Sequence, residues 1–208
     1  FAAFDLFLLR RENAISDYSA DELERAELCF ASLSLAEKEK LTSTILSGLP
    51  GGTTGAHDLD SFRLALMQYQ GISADQLREN LFNFLEQILP VAEAAGVYLA
   101  IHPDDPPREL LGLPRIMCNK QDIELLLEKQ PSPANGLALC AGTYGVNPAN
   151  DVAELASTFA ERIYFAHLRG TRREENPLSF QEAEHLDSDV DMLSIITALL
   201  AEERDRRR

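Results

Sequence analysis

Basic residues are scarce in this 208-residue chain: 19 Lys and Arg stand against 34 Asp and Glu, a formal charge of −15 at pH 7. A field of that sign repels phosphate backbones, which argues against nucleic acid as a partner. Cysteine is sparse too. Cys29, Cys118 and Cys140 are an odd number in a chain without secretory marks, which points to reduced thiols in a cytoplasm rather than to disulfides. No apolar run approaches the roughly 18–20 residues of a membrane span, and no basic start with a small-residue cleavage site is present, so neither a membrane nor secretion is expected. An initiating Met is missing as well: the chain opens at Phe1 inside the apolar run FAAFDLFLL and closes on ERDRRR straight after a helix pattern. The expectation is a fragment of a longer protein. The apolar fraction of 45% is ordinary, so a packed core is expected, and the length suits a single domain over 1–208.

The first half reads as helical. Phe1–Leu9 is apolar on nearly every side, and periodicity leaves strand and short helix open there. Ser19-x-x-Glu22 and Ser34-x-x-Glu37 are capping-box patterns, with Leu23, Ala26 and Phe30 inward on the first helix and Leu41 and Ile45 on the second. The Gly-rich stretch SGLPGGTTGAHD (Ser47–Asp58) lacks the Gly-Lys-Ser/Thr ending of a phosphate loop and reads as a connection. A helix from Asp58 to about Tyr69 follows. The next, opened by Ser73-x-x-Gln76, carries Leu77, Leu81, Phe84, Leu85 and Ile88 on one stripe. Pro90 is expected to kink it and Gly96 to cap it. Residues 17–72 are thus expected as a helical insertion.

From residue 97 to about 204 the pattern becomes periodic. Short apolar strands at Val97–Ile101, Leu137–Cys140 and Ile163–His167 alternate with helices. The first helix spans about Lys120–Lys129, capped by Asn119. The second has Asn147 as cap and Pro148 at its first position, with Val152, Leu155, Ala156 and Phe159 inward. The third follows Ser188, with Leu193, Ile196, Leu199 and Leu200 inward. Three strand–helix units in succession imply parallel strands with helical crossovers, buried on both faces. An open doubly wound sheet and a (β/α)8 barrel both remain. Ligand-type residues at three successive strand ends favour the barrel, whose sites collect at the C-terminal ends of strands.

Those strand ends are His102, Cys140 and His167. Two imidazoles and a thiolate suit Zn, Fe(II) or Mn(II) and suit Mg or Ca poorly. The alternative is a buried Cys acting as a small hydrophobe beside two hydrogen-bonded histidines. Asp104 and Asp105 either orient a metal-bound His or hydrogen-bond their own turn. Arg169, Arg172 and Arg173 follow His167, and guanidinium groups at such a mouth suit two-point contact with a substrate carboxylate. The alternative is a surface cluster paired with Glu174 and Glu175, preferred for Arg173. Tyr144 is close enough in sequence to Cys140 to line the pocket. His57 and His185 are expected to be exposed or structural, and Cys29 and Cys118 ordinary thiols.

IHPDDPP, GLPRI (Gly112–Ile116), the Cys of LCAGTYGV, IYFAHLRGTRREENP and HLDSDVDM, taken together and in this order, resemble the mannonate dehydratase family of hexuronate (glucuronate) catabolism. The likeness extends from FAAFDLFLLRR to the last helix. It implies an α/β fold, a xylose-isomerase-like TIM (β/α)8 barrel present here only in part, with barrel strands expected before Phe1 and after the last helix. It implies a cytoplasmic lyase that dehydrates D-mannonate to 2-keto-3-deoxy-D-gluconate with Mn2+ or Fe2+, expected as a homo-oligomer, a dimer. On the family pattern the metal ligands fall on His102, Cys140 and His167, joined by an Asp from a strand beyond this chain, where the acid and base are also expected. Arg169, Arg172 and Tyr144 are the candidate substrate contacts. Departures are mild: Ala141 and Thr143 stand where Thr and Ser are usual, Gly170 where Ser is, and Glu175 where Asp is. A sugar isomerase or epimerase of the same barrel type is the competing enzyme, but it calls for paired metal-bridging carboxylates instead of a Cys. The non-catalytic alternative is a fragment whose acidic helices form an interaction surface.

Overall fold

Side-chain oxygens begin the helices of the first half. Ser19 and Glu22 cap α1 (Ala20–Ser32) reciprocally, and Ser34 and Glu37 do the same for α2 (Leu35–Gly48). Asp58 and Ser61 cap α3 (Leu59–Met67). Each such exchange satisfies amides that a helix start leaves orphaned, worth about 1 kcal/mol per cap. The computed structural model describes residues 1–48, 58–175 and 179–207. The Gly-rich stretch at 49–57, with His57, lies outside them.

The chain divides into two units, Phe1–Ile72 with Glu109–Pro114, and Ser73–Arg108 with Arg115–Arg208. In the first, the ambiguous opening run forms a turn of wide helix over Phe4–Leu9. Phe4 and Leu9 are fully buried there, with Ile45, Phe62, Leu110 and Leu111 around them. Asp5 is also buried, yet it is satisfied by Arg11 at 2.8 Å and the Tyr18 hydroxyl at 2.8 Å.

The second unit opens with α4 (Ala74–Ala95), capped by Ser73 and closed by Gly96 at φ 66°, a left-handed position that glycine adopts freely. The helix runs through Pro90. Its buried stripe is Leu85, Leu89 and Ala92, flanked by Leu81, Phe82 and Ile88. Phe84, expected inward, is 57% exposed, because it sits about 100° around the helix from Leu85.

Strands β1 (Leu99–Ile101), β2 (Asn135–Cys140) and β3 (Ile163–His167) pair in parallel in the order β1-β2-β3. The fold is mixed α/β with parallel strands. Between β1 and β2 comes α5 (Lys120–Lys129), whose Asn119 cap and buried Ile123 and Leu126 agree with the sequence reading. After β2 the chain enters a six-residue helix, α6 (Ala141–Val146), and then α7 (Val152–Thr158). Asn147 ends α6 and Asp151 caps α7, correcting the Asn147 cap. AGTYGV, with two glycines, carries little helix propensity to announce α6.

The loop expected after β3 contains an antiparallel hairpin, β4 (Thr171–Arg173) and β5 (Phe180–Glu182). The last helix, α8 (Met192–Arg206), buries Met192 and Ile195. Leu193 and Leu200, expected inward, are exposed, and Ile196 and Leu199 are half-buried. Helices α4, α5, α7 and α8 share one core with Leu137, Leu139 and Ile163 of the sheet. Among the described residues, burial on both faces holds for β2 and not for β1 or β3. In β3, Phe165 is 58% exposed, so the face it projects from is left uncovered by the described residues. Among the described residues no helix is long and apolar enough to cross a membrane.

Candidate metal centre

Two neighbouring strands set the spacing of the first two donors. Along β2 and β3 the register places Leu137 beside Ile163 but Ala138 beside Phe165, so β3 carries one extra residue, Tyr164. Beyond this irregularity Cys140 pairs with His167. Without it, Cys140 would face Ala166, and His167 would point to the opposite side of the sheet. Gly136 makes room for the irregularity: a Cβ there would land on the Tyr164 ring and the Arg162 carbonyl oxygen. β1 ends at Ile101, opposite Leu137, and the chain then delivers His102.

One ligand atom from each of His102, Cys140 and His167 lies within 4.8 Å of the other two. Cys140 Sγ stands 3.3 Å from His167 Nδ1, and the two imidazole centroids are 6.2 Å apart. Bonds of about 2.0–2.3 Å place two donors of one ion roughly 3–4.6 Å apart, so the trio needs only small side-chain adjustment to meet a common ion. His102 Nδ1 lies 2.8 Å from the Pro103 carbonyl oxygen. A carbonyl only accepts, so Nδ1 carries the proton there and Nε2 keeps the lone pair a metal requires. Cys140 is fully buried, whereas both histidines are exposed, so the sulfur forms the floor of the group and the rings its open side. Geometry and donor chemistry both fit a borderline-soft divalent ion.

Polar groups underlie the sulfur. Thr143, fully buried in α6, directs its hydroxyl at Cys140 Sγ over 3.0 Å. Asp105 Oδ2 lies 3.3 Å from the same hydroxyl and accepts from Arg169 at 2.7 Å. Arg169 also donates to Glu182 at 2.8 Å. Burial works against the Arg169 charge, but its bonds to Glu182 and Asp105 outweigh that and hold the guanidinium above its ordinary pKa. Its stem lies across Gly142, where an added Cβ would come within 2.6 Å of it.

Of the two open roles for the aspartates, orienting a metal-bound His or bonding their own turn, Asp104 fits the second only loosely, since its partners lie 12 and 13 residues along the chain. It accepts from the backbone amides of Ile116 and Met117 at 2.7 and 2.9 Å and closes its own loop. Asp105 takes neither, since it engages Arg169 and Thr143. Arg172 is bonded to Asp187. Arg173 pairs with Asp189 and donates to the Gly145 carbonyl, so the expected partners Glu174 and Glu175 give way to acids beyond the hairpin. Tyr144 is 1% exposed, and its buried hydroxyl has no hydrogen-bond partner among the described residues. Burial, and then the charges of Asp122 and Cys118, raise its pKa. His185 and Cys29 are exposed and Cys118 half-buried. Thr143, Gly142 and Glu182 carried no role in the sequence reading. The Thr-for-Ser difference at 143 was the visible signal, although it says nothing of direction.

Parallel strands with helical crossovers, whose ends gather two histidines and a cysteine about one point, define an α/β protein with a candidate metal site at its strand ends. The chain belongs to the D-mannonate dehydratase family (UxuA), whose model matches residues 16–207. It is 50% identical over 208 residues to a mannonate dehydratase from Chromohalobacter salexigens, covering 100% of this chain and 53% of that protein. It is 48% identical over 206 residues to one from Marinomonas sp., covering 99% of this chain and 52% of that protein. The crystal structure of mannonate dehydratase from Streptococcus suis serotype 2 matches with a TM-score of 0.61 and 39% identity, over 64% of this chain and 39% of that one. The chain spans about half the length of the curated relatives it matches.

Proposed function

We propose that this chain supplies the metal-holding strands of a cytoplasmic mannonate dehydratase, converting D-mannonate to 2-keto-3-deoxy-D-gluconate and water in hexuronate catabolism. In this reading its parallel strands belong to a (β/α)8 barrel of xylose-isomerase type, and the assembly is a homodimer. The observation that carries the proposal is the convergence of His102, Cys140 and His167 at adjacent strand ends in a member of this family.

These three residues would hold Mn2+ or Fe2+. When bound, such an ion supplies Lewis-acid stabilisation of developing negative charge, worth several kcal/mol. The need for it is plain from the reaction. The C2 proton lies next to a carboxylate that is already charged, so the carbanion left behind is costly, and the C3 hydroxyl must leave as water.

The residues of this chain bind and orient. Arg169 reaches the trio's surroundings through Thr143 and Asp105, and its second carboxylate partner, Glu182, has a side chain 70% exposed. A substrate carboxylate can therefore take the place of Glu182 on the guanidinium while Asp105 keeps its hold, which gives the two-point contact that planar donors favour. Arg172 is a weaker candidate, because Asp187 already occupies it.

Two measurements test the proposal. Equilibrium dialysis against Mn2+ should show metal retained by the parent chain and by Cys29→Ser and Cys118→Ser, and lost from Cys140→Ser; equal metal content in all of them would remove Cys140 as a ligand. Exchanging this chain for the matching segment of the Chromohalobacter salexigens relative should give a chimera that forms the 2-keto-3-deoxy product from D-mannonate. A folded, metal-loaded chimera without that product would overturn the assigned activity.

A further inference from the structure

The Thr143 hydroxyl has one proton and two acceptors in range, Cys140 Sγ at 3.0 Å and Asp105 Oδ2 at 3.3 Å. Sulfur is the larger atom, so 3.0 Å is a close approach, while 3.3 Å is long for a hydroxyl–carboxylate bond, which is ordinarily about 2.5–2.7 Å. Arg169 tips the balance further. Its Nη1 donates to Asp105 Oδ2 at 2.7 Å and reaches the Thr143 oxygen at 3.4 Å. One lone-pair site of Oδ2 is thereby taken, and an N–H faces the hydroxyl's lone pairs. The distances therefore assign the hydroxyl proton to the sulfur, with Asp105 Oδ2 the weaker acceptor. Thr143 is fully buried, so no exchange with bulk water competes for it.

The support is held from below. Gly142, with no side chain, lets the Arg169 stem lie against α6, and the Thr171 hydroxyl donates to the Gly142 carbonyl at 3.1 Å, tying the first turn of α6 to the start of β4. We infer that Thr143 is a positioning residue for the Cys140 sulfur, held to that task by Asp105 and Arg169. The inference rests on the reading of Cys140 as a metal ligand and goes a step further, to what aims that ligand. A hydrogen bond to a thiolate fixes which lone pair faces the ion and withdraws charge from the sulfur, so its loss changes both affinity and the electronic character of the bond.

The test uses Co2+ as probe, because a cobalt–thiolate bond gives a charge-transfer band that reports on the sulfur directly. The parent chain should bind Co2+ with such a band. Thr143→Val, similar in shape but without the proton, should weaken Co2+ binding about 10–100-fold and move the band to longer wavelength, since the sulfur gives up charge more readily. Thr143→Ser should restore both. Thr143→Ala provides the same comparison if the valine variant folds poorly, with urea unfolding as the check on folding. Unchanged affinity and band position in folded Thr143→Val or Thr143→Ala overturns the inference and leaves the metal reading standing. Equal loss in Thr143→Ser also overturns it, because packing and not the hydroxyl would then be responsible. A parent chain without any thiolate band overturns the reading of Cys140 itself, and this inference with it.

Discussion

Substituting Gly142 by alanine sets two effects of opposite sign against each other. Gly142 lies in α6 with a backbone that L residues adopt readily, so alanine should help by about 0.5–1 kcal/mol through helix propensity and a less flexible unfolded chain. The added Cβ, however, falls 2.6, 2.8 and 3.0 Å from Cγ, Cδ and Cβ of Arg169. Carbon atoms rest at about 3.5–4.0 Å, so the stem must move by about 1 Å. That stem leads to a head held by Asp105 and Glu182, and it cannot move without stretching those bonds. Overpacking of this kind costs about 1–3 kcal/mol, and the strained, partly exposed ion pairs add at most about 1 kcal/mol. The clash therefore wins, and Gly142→Ala should destabilise the chain by about 1–2 kcal/mol. With Arg169→Gly in place all three carbons are gone, and the same substitution should stabilise by about 0.5–1 kcal/mol. Urea unfolding of the four proteins measures both numbers. The reversal of sign is the decisive feature, since it corresponds to a coupling of about 2 kcal/mol, ordinary for side chains in contact. The same destabilisation with and without Arg169 would show that the contact is not what opposes a side chain at 142.

Two further outcomes are expected. Leu126→Ala, at a 1% exposed position in α5, should lower stability by about 2–5 kcal/mol, whereas Leu193→Ala on the exposed face of α8 should change it by less than about 0.5 kcal/mol; comparable losses in urea unfolding would contradict the helix phases described here. Burial, then the charges of Asp104 and Asp122, push the Cys118 thiol up to about 12. A negative neighbour opposes thiolate formation, so Asp122→Asn should lower that pKa and shift alkylation of Cys118 to lower pH, and an unchanged or higher profile would show that the carboxylate does not act on the thiol.

What the sequence makes legible here is local chemistry. Ser19, Ser34, Ser73 and Asn119 each accept from an amide within three residues, so the signal and the structure occupy the same stretch of chain. Helix phase was less legible. In α8 the leucines are distributed around the axis, so Leu193 and Leu200 made as good a stripe as the buried Met192 and Ile195, and only the neighbouring helix decides between them. The β4–β5 hairpin was hidden for a different reason. The two strands are TRR and FQE, three residues each with one large apolar side chain between them, too short and too polar for a period-two contrast to reveal them.

The site divides along the same line. That His102, Cys140 and His167 end apolar runs is written in the sequence; that they meet is not. Cys140 and His167 are separated by 27 residues, and in parallel strands a slip of one residue reverses which side of the sheet a side chain occupies. The slip needed here is made by Tyr164, and it is tolerated because Gly136, in the adjacent strand, leaves the space that the Tyr164 ring and the Arg162 carbonyl require. The Tyr164 hydroxyl then donates to the Pro133 carbonyl at 2.5 Å, which holds the ring across the neighbouring strand's entry. A glycine near the beginning of β2 thus determines which residue of β3 stands beside a cysteine at its far end. Neither Gly136 nor Tyr164 belongs to the donor trio, so histidine and cysteine alone do not point to either. Their effect becomes visible only when the two strands are laid side by side, where the register carries it from the start of β2 to the strand ends at which the donors converge.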